Sequence, residues 1–359
     1  MINDSNIHCI NHIENKIEWN LNISLYNMRD VIIIPDKIIN STNDNSIKWQ
    51  TEIPYDTRQL AVKELVSAYT AVISLKNNGY IKSFDMKYKN KWEYSRNFWL
   101  DKAAIKYKNR KIELMPRRLI NDKYIKINNK RDIKFLEKNP EPRDSQIRYI
   151  HGAWYILYVY KSKPAKLPEA KNQIISLDPG VRTFLTGYSP SGILKEYDKK
   201  SQDNIKKLHK KIDKYKDARK ILYYKRNINK KLHKLERKLN NIVDNMHNQI
   251  VADLVNNFNN ILLPSYNTSA MLKGNLPSCV KREMQIMASY RFKTKLENKC
   301  KIIGRNLVIV DERYTTKTCG VCGVLNDVGT QKEFHCIGCK YHHNRDINAA
   351  RNIMLKRLL

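Results

Sequence analysis

The chain has no apolar run able to cross a bilayer: its longest, such as Ala153–Tyr160, fall far short of the ~20 residues required. It also lacks a secretory leader, because the opening MINDSNIHCINHIENK has no basic start followed by an apolar stretch. These absences predict an intracellular protein without a membrane partner. In that setting the seven cysteines read as thiols or metal ligands rather than disulfides. Acidic residues are scarce as well, 35 against 67 lysines and arginines, for a formal net charge of +32. Such an excess repels itself in a compact chain, and a polyanion relieves it. Nucleic acid is the expected polyanion, since each neutralised phosphate releases counterions. Plain basicity, or binding to a membrane surface, is the bland alternative. Charge names a class of partner and no chemistry.

What is present has a clear order. Residues 1–50 are rich in asparagine and give one β-like run, Val31–Ile34. Helical spacing of Leu60, Val62, Leu65, Ala68, Ala71 and Val72 predicts a helix over Arg58–Lys76, capped by Thr57 and stopped by Asn77-Asn78-Gly79. From 80 to 160, short alternating segments (Ile81–Met86, Ile112–Met115, Tyr124–Ile127, Ala153–Tyr160) predict a small β-barrel or curled sheet. The polar, proline-bearing run KSKPAKLPEAK, residues 161–171, marks a domain boundary. Beyond it come three strands (Gln173–Leu177, Val181–Tyr188, Ile193–Tyr197), then a long helical stretch over 201–258. A fourth strand (Ile261–Leu263), a helix (Lys281–Lys299) and a fifth strand (Leu307–Val310) follow, and a helix from Ile347 closes the chain. That order is the one an α/β RNase H-like fold requires.

Residues 199–238 hold seventeen lysines and arginines against four acids. Apolar residues at 205, 208, 212, 215 and 222, then 232, 235 and 239, form a seam that slips near Asn227–Asn229. A helical hairpin or kink is expected there, with one packed face and one basic face for phosphates.

Cys319-Gly-Val-Cys322 and Cys336-Ile-Gly-Cys339 are two CxxC knuckles separated by thirteen residues. Two knuckles complete a tetrahedral thiolate set and leave no open position, the pattern of one structural zinc. Glycines 320, 323 and 338 permit the tight turns. With four cysteines filling that shell, His335, His342 and His343 read as polar surface or nucleic-acid contacts.

Phosphodiester hydrolysis with two metal ions needs carboxylates from separate elements converging on ions ~3.5–4 Å apart. Asp178 ends an apolar strand just before Pro179-Gly180, where an aspartate is either a turn former or a ligand. Asp346 opens the last helix, where it is either a cap or a ligand. Asn348 and Arg351 on nearby faces could support an ion and a phosphate.

The stretches DPGVRTFLTGYSPSG, YTTKTCGVCG, CIGC and NRDINAARNI together resemble the transposon-associated TnpB nucleases and, more closely, their Fanzor relatives. The resemblance is good over 172–359, loose over 50–170 and slight before that. It implies a RuvC nuclease with an inserted zinc ribbon, preceded by a helical recognition segment and a wedge-like barrel. The domains would then be 1–79, 80–170 and 171–359, with basic helices 199–258 and ribbon 315–343 inserted in the last. It implies RNA-guided cleavage of double-stranded DNA with two magnesium ions, one guide encoded beside the gene and one protein copy per RNA. In a eukaryotic host the location would be nuclear. By motif, Asp178 and Asp346 are the first and last acids of the site.

The middle acid departs from the family pattern. TnpB proteins usually carry a glutamate at the end of the fourth strand, and here that place reads Ile261-Leu-Leu-Pro264-Ser265-Tyr266. Either the nuclease is dead or Glu312, at the end of the fifth strand, replaces it, as in the Fanzor branch. Asp311 is the weaker choice, because neighbouring strand residues face opposite ways; an ion pair of Glu312 with Arg313 or Arg305 is the bland alternative. Guided DNA binding without cleavage, or a basic RNA-binding zinc-ribbon protein, are the rival functions. Trp92, Tyr94, Phe98, Trp99 and Trp154 are candidates to stack on bases or to fill a core.

Overall fold

The computed structural model describes residues 32–42, 44, 46–85, 96–115, 124–127, 129–161, 168–198, 201–221, 225–265, 272–274, 276–329 and 331–358. The chain divides into two units, Met1–Ser162 and Lys163–Leu359. Among the described residues no helix is long and apolar enough to cross a membrane.

In the first unit, α1 (Asp36–Ser41) precedes α2 (Tyr55–Asn77). The helix α2 begins three residues before the expected Arg58. Pro54 sets its start, where a missing N–H costs nothing, and Thr57 is buried in the first turn instead of capping. It ends where expected, with Gly79 at φ 73°. No strand forms over Ile32–Ile34; the Ile34 carbonyl accepts a 3.0 Å hydrogen bond from the Arg58 guanidinium, which also pairs with Asp36. Val31 is outside the described residues.

The β-rich part holds two antiparallel sheets. One is β1 (Arg96–Leu100), β5 (Ser145–Ile150) and β6 (Ala153–Leu157), in that order; the other is β2 (Ile105–Lys108), β3 (Lys111–Leu114) and β4 (Tyr124–Lys126). Among the described residues they do not close into one barrel. A helix that the sequence reading missed, α3 (Lys130–Lys138), brings Leu136 into the core with Leu100, Ile105, Ile112 and Ile147, where further strand pairing would otherwise be needed. Phe98 and Trp154 are exposed, Trp99 is half-buried, and Trp92 and Tyr94 lie outside the described residues.

The second unit is built on a five-stranded sheet. It comprises β7 (Asn172–Pro179), β8 (Leu185–Tyr188), β9 (Leu194–Tyr197), β10 (Phe258–Pro264) and β11 (Asn306–Val310), in the order β11-β10-β7-β8-β9. β7, β8 and β9 are antiparallel neighbours, whereas β10 runs parallel to both β7 and β11. This is the RNase H-like arrangement. Between β9 and β10 run α4 (Ser201–Ile221) and α5 (Lys225–Asn257), packed on each other with Ile205, Ile212 and Leu232 buried. α5 runs unbroken through Asn227–Asn229, because tertiary packing outweighs the weak helix preference of asparagine.

The helix expected over Lys281–Lys299 is two: α6 (Ser278–Met287) and α7 (Ser289–Ile303), parted at Ala288 with φ 47°. The buried His247 ring nitrogen Nε2 sits 2.9 Å from the Met287 carbonyl at this break. Last come β12 (Glu333–His335), β13 (His342–Asn344) and α8 (Arg345–Leu358).

Strand parity decides what each face of the sheet carries. Ile175, Leu177, Ile261, Leu263 and Leu307 face a core shared with α5 and α7. Ile174, Leu262, Val308 and Val310 face Ile353 and Met354 of α8. Position 178 therefore belongs to the α8 face, two residues beyond Ser176.

Candidate active site and cysteine ribbon

One hydrogen bond sets the position of two of the three acids. The Ser176 hydroxyl donates to the Ala350 carbonyl at 2.7 Å, locking β7 against α8. From Ser176 to Asp178 the strand advances about 6.6 Å, and from Ala350 back to Asp346 the helix retreats about 6 Å. Asp178 and Asp346 thus meet at the carboxyl-terminal edge of the sheet. The following turn is tight: a Cβ on Gly180 would stand 2.7 Å from the Thr183 carbonyl oxygen.

Glu312 follows β11, which lies beyond β10 from β7. Pro264 of β10 pairs with Val310 of β11, and the Ser265 amide donates to the Val310 carbonyl at 3.1 Å. Glu312, two residues past Val310, keeps the parity of the α8 face. The electrostatics agree with this placement. The Asp178 carboxyl is pushed well above its ordinary range, first by burial, then by the charges of Asp346 and Glu312, with Arg345 opposing. Glu312 is raised as well, by burial and by Asp311. Among the described groups whose ligand atoms all lie within 4.8 Å of one another, these three acids do not figure together.

Asp311 is tied up in surface ion pairs with Arg313 and with Lys356 of α8. It accepts hydrogen bonds from the Arg313 amide (3.1 Å), the Arg313 guanidinium (2.9 Å) and Lys356 (3.1 Å), which hold it at about 2. Arg313 is therefore engaged by Asp311. Arg305 donates to the Val255 and Pro168 carbonyls and to Asn259, away from Glu312.

Asp346 is not the helix cap. Asn344 takes that role, its Oδ1 accepting from the amides of Asp346 (2.9 Å) and Ile347 (3.3 Å), which leaves the aspartate side chain free of capping. The Arg345 guanidinium approaches Asp346 at 3.4 Å and donates to the Gly329 carbonyl at 3.1 Å.

The four cysteines converge. Their sulfurs all lie within 4.8 Å of one another, with Cys319–Cys339 at 3.7 Å and Cys322–Cys336 at 3.5 Å. A tetrahedral ion with bonds of about 2.3 Å has edges of about 3.8 Å, so the set fits zinc and leaves no open position. Backbone amides around Cys339 and Gly338 favour the Cys336 thiolate and lower it to about 6.

Asn348 does not serve an ion or a phosphate. It is buried against the first knuckle, accepting from the Gly320 amide at 2.9 Å and donating to the Thr318 carbonyl at 2.8 Å. Asn352, one turn on, donates to the Thr315 and Thr318 carbonyls at 2.8 and 2.6 Å. Gly320 makes this approach possible, since a Cβ there would sit 3.0 Å from both asparagine oxygens. The i, i+4 spacing of these asparagines was the available sequence signal. Asn348→Ala is expected to cost about 1–3 kcal/mol, because it leaves the buried Gly320 amide unpaired, while the Thr318 carbonyl still accepts from Asn352. Denaturant unfolding of the zinc-loaded chain measures it, and a loss below a few tenths would contradict the clamp.

An RNase H-like sheet with three acids at its edge, closed by a helix rooted in a four-cysteine ribbon, defines the class of protein. Residues 290–353 match the Cas12f1-like TNB domain family. The chain is 34% identical over 212 residues to TnpB-like protein L79 of Acanthamoeba polyphaga mimivirus, covering 56% of this chain and 40% of that one. It is 29% identical over 325 residues to putative transposase A625R of Paramecium bursaria Chlorella virus 1, covering 87% and 71%. Shorter matches are to proteins named as CRISPR-associated or RNA-guided DNA endonucleases. The fold is shared with the protein of a Cas12f1–sgRNA–target DNA complex: 16% identity, 92% of this chain and 79% of that one covered, TM-score 0.56. The chain is thus a relative of the TnpB and Cas12f type. It spans about two fifths of the length of the mimivirus relative.

Proposed function

We propose that the chain is an RNA-guided DNA endonuclease of the Fanzor branch, with Asp178, Glu312 and Asp346 as the ligands of two magnesium ions. The observation that carries this reading is the raised Asp178 carboxyl, which feels both other acids across three separate elements. Three carboxylates are the hard oxygen donors magnesium prefers, with waters and phosphate oxygens completing its shell. When bound, such ions activate the attacking water and stabilise the leaving oxygen. The protein's own part is to hold three like charges at one edge, with Arg345 tempering them. Cys319, Cys322, Cys336 and Cys339 hold one structural zinc.

Guide RNA and target double-stranded DNA are the proposed partners, one protein copy per RNA. The charge of +32 and the names of the relatives support them. Residues 1–79 and 80–170 would grip them as recognition and wedge regions, and residues 171–359 would cut. In a eukaryotic host the protein would work in the nucleus.

The test is cleavage of a guide-matched plasmid by the purified ribonucleoprotein with magnesium. Glu312→Gln is expected to lower the rate by roughly a hundredfold or more. Asp311→Asn should leave it within a few-fold. Equal loss from both, or none from Glu312→Gln, rejects Glu312 as the middle ligand. Bound but uncut plasmid with the unaltered protein would favour a guided binder, the reading that Pro264 in place of an acid suggests.

A further inference from the structure

The ribbon's hairpin carries a second set of ligand-type side chains that the nuclease reading does not use. β12 and β13 are antiparallel, and His335 stands directly opposite His342. Opposed residues project from the same face of a two-stranded ribbon, as does the residue two before on the same strand. That residue is Glu333. The Nε2 atoms of His342 and His335 accordingly lie 3.2 and 3.7 Å from the Glu333 Oε2. Their rings stack with centroids 4.2 Å apart, at 29°. One ligand atom from each of the three falls within 4.8 Å of the other two. Phe334 and His343 take the other face, where Phe334 is fully buried and His343 packs edge-on to Tyr341.

These separations suit a metal ion. Bonds of about 2.0–2.1 Å to nitrogen and oxygen put neighbouring ligands about 3.0–3.4 Å apart, so the set closes on one ion once the two exposed rings turn out of their stack to aim both nitrogens at it. Two imidazoles with one carboxylate favour zinc, nickel or copper over magnesium or calcium. The four-cysteine centre does not compete for these side chains: Cys336 follows His335 in sequence but is buried, whereas all three residues are exposed.

We propose that Glu333, His335 and His342 form a second metal site, binding one divalent transition ion such as zinc or nickel and leaving at least one position for water. An ion there ties β12 to β13 across a hairpin of three residue pairs. The proposal stands apart from the nuclease reading, because none of the three acids at the sheet edge takes part.

The test uses the full chain already loaded with one equivalent of zinc, titrated with nickel chloride by calorimetry and by NMR of the imidazole signals. The unaltered protein is expected to take one further equivalent, which selectively broadens His335 and His342. His335→Ala and His342→Ala should each weaken nickel binding roughly tenfold or more, and Glu333→Gln should weaken it too. His343→Ala, on the other face, should change nothing. Retention of one zinc equivalent by each variant establishes that the ribbon is intact; if a histidine variant loses it, the exposed Glu333→Gln supplies the readout. No further equivalent bound by the unaltered protein, or unchanged affinity in the double variant His335→Ala/His342→Ala, overturns the proposal.

Discussion

Asp178→Asn is expected to cut guide-directed, magnesium-dependent plasmid cleavage by roughly a thousandfold or more, about 4 kcal/mol of barrier, with plasmid binding retained. The residue ends the central strand, its carboxyl faces α8, and it feels both other acids. An amide keeps the shape and removes the charge that would attract divalent ions. The same substitution should raise the melting temperature of the magnesium-free protein at neutral pH. The unfolded carboxyl loses its proton near 3.8, while the folded one holds it to well above that value. Between those two values the folded state binds more protons, so stability falls as pH rises and stays lower above the window. Asparagine abolishes that loss, and each kcal/mol regained moves the melting point about 2–4 °C. Calorimetry at pH 7 without magnesium measures it; a lower melting point would mean that the folded state does not disfavour the ionised Asp178 carboxyl.

Zinc removal should have an effect of similar size on activity by another route. The first turns of α8 are held to the ribbon by Asn348 and Asn352, which hydrogen-bond the backbone of Thr315, Thr318 and Gly320. A structural zinc in a small module contributes about 10–16 kcal/mol to its folding. Chelation, or Cys339→Ser, is therefore expected to loosen residues 345–352 and release Asp346 from the edge. Cleavage should fall roughly a hundredfold or more, as when a reacting group is misplaced by an ångström. Hydrogen exchange distinguishes this from general unfolding. Protection should be lost over 345–352 and kept in the buried stretch Val243–Val255 of α5. Full protection of α8 after zinc loss would show that the helix stands without the ribbon.

Much of the second unit was legible in the sequence because its signals are local and period-bound. Apolar strands, CxxC knuckles and an aspartate before Pro-Gly can each be read without knowing what packs on them. Features decided by distant partners were not legible. Asn344 caps α8 and frees Asp346, whereas sequence alone left Asp346 open as the cap. Asn348 reads as a ligand-type side chain until Gly320 is seen beside it. The start of α2 followed Pro54 rather than Thr57, and α5 ran on through Asn227–Asn229, where the seam slips. The barrel expectation missed α3 because its lysine-rich surface conceals a single buried leucine, Leu136.

The parallel register of β10 and β11 has a wider consequence. Because Pro264 and Val310 stand side by side, an acid just past the end of either strand would stand at the same edge of the sheet. Alignment columns would then score such a chain as broken at the middle position. A comparison by sheet edge, counting which side chains look out at one end, would count Glu312 with the acids of that edge.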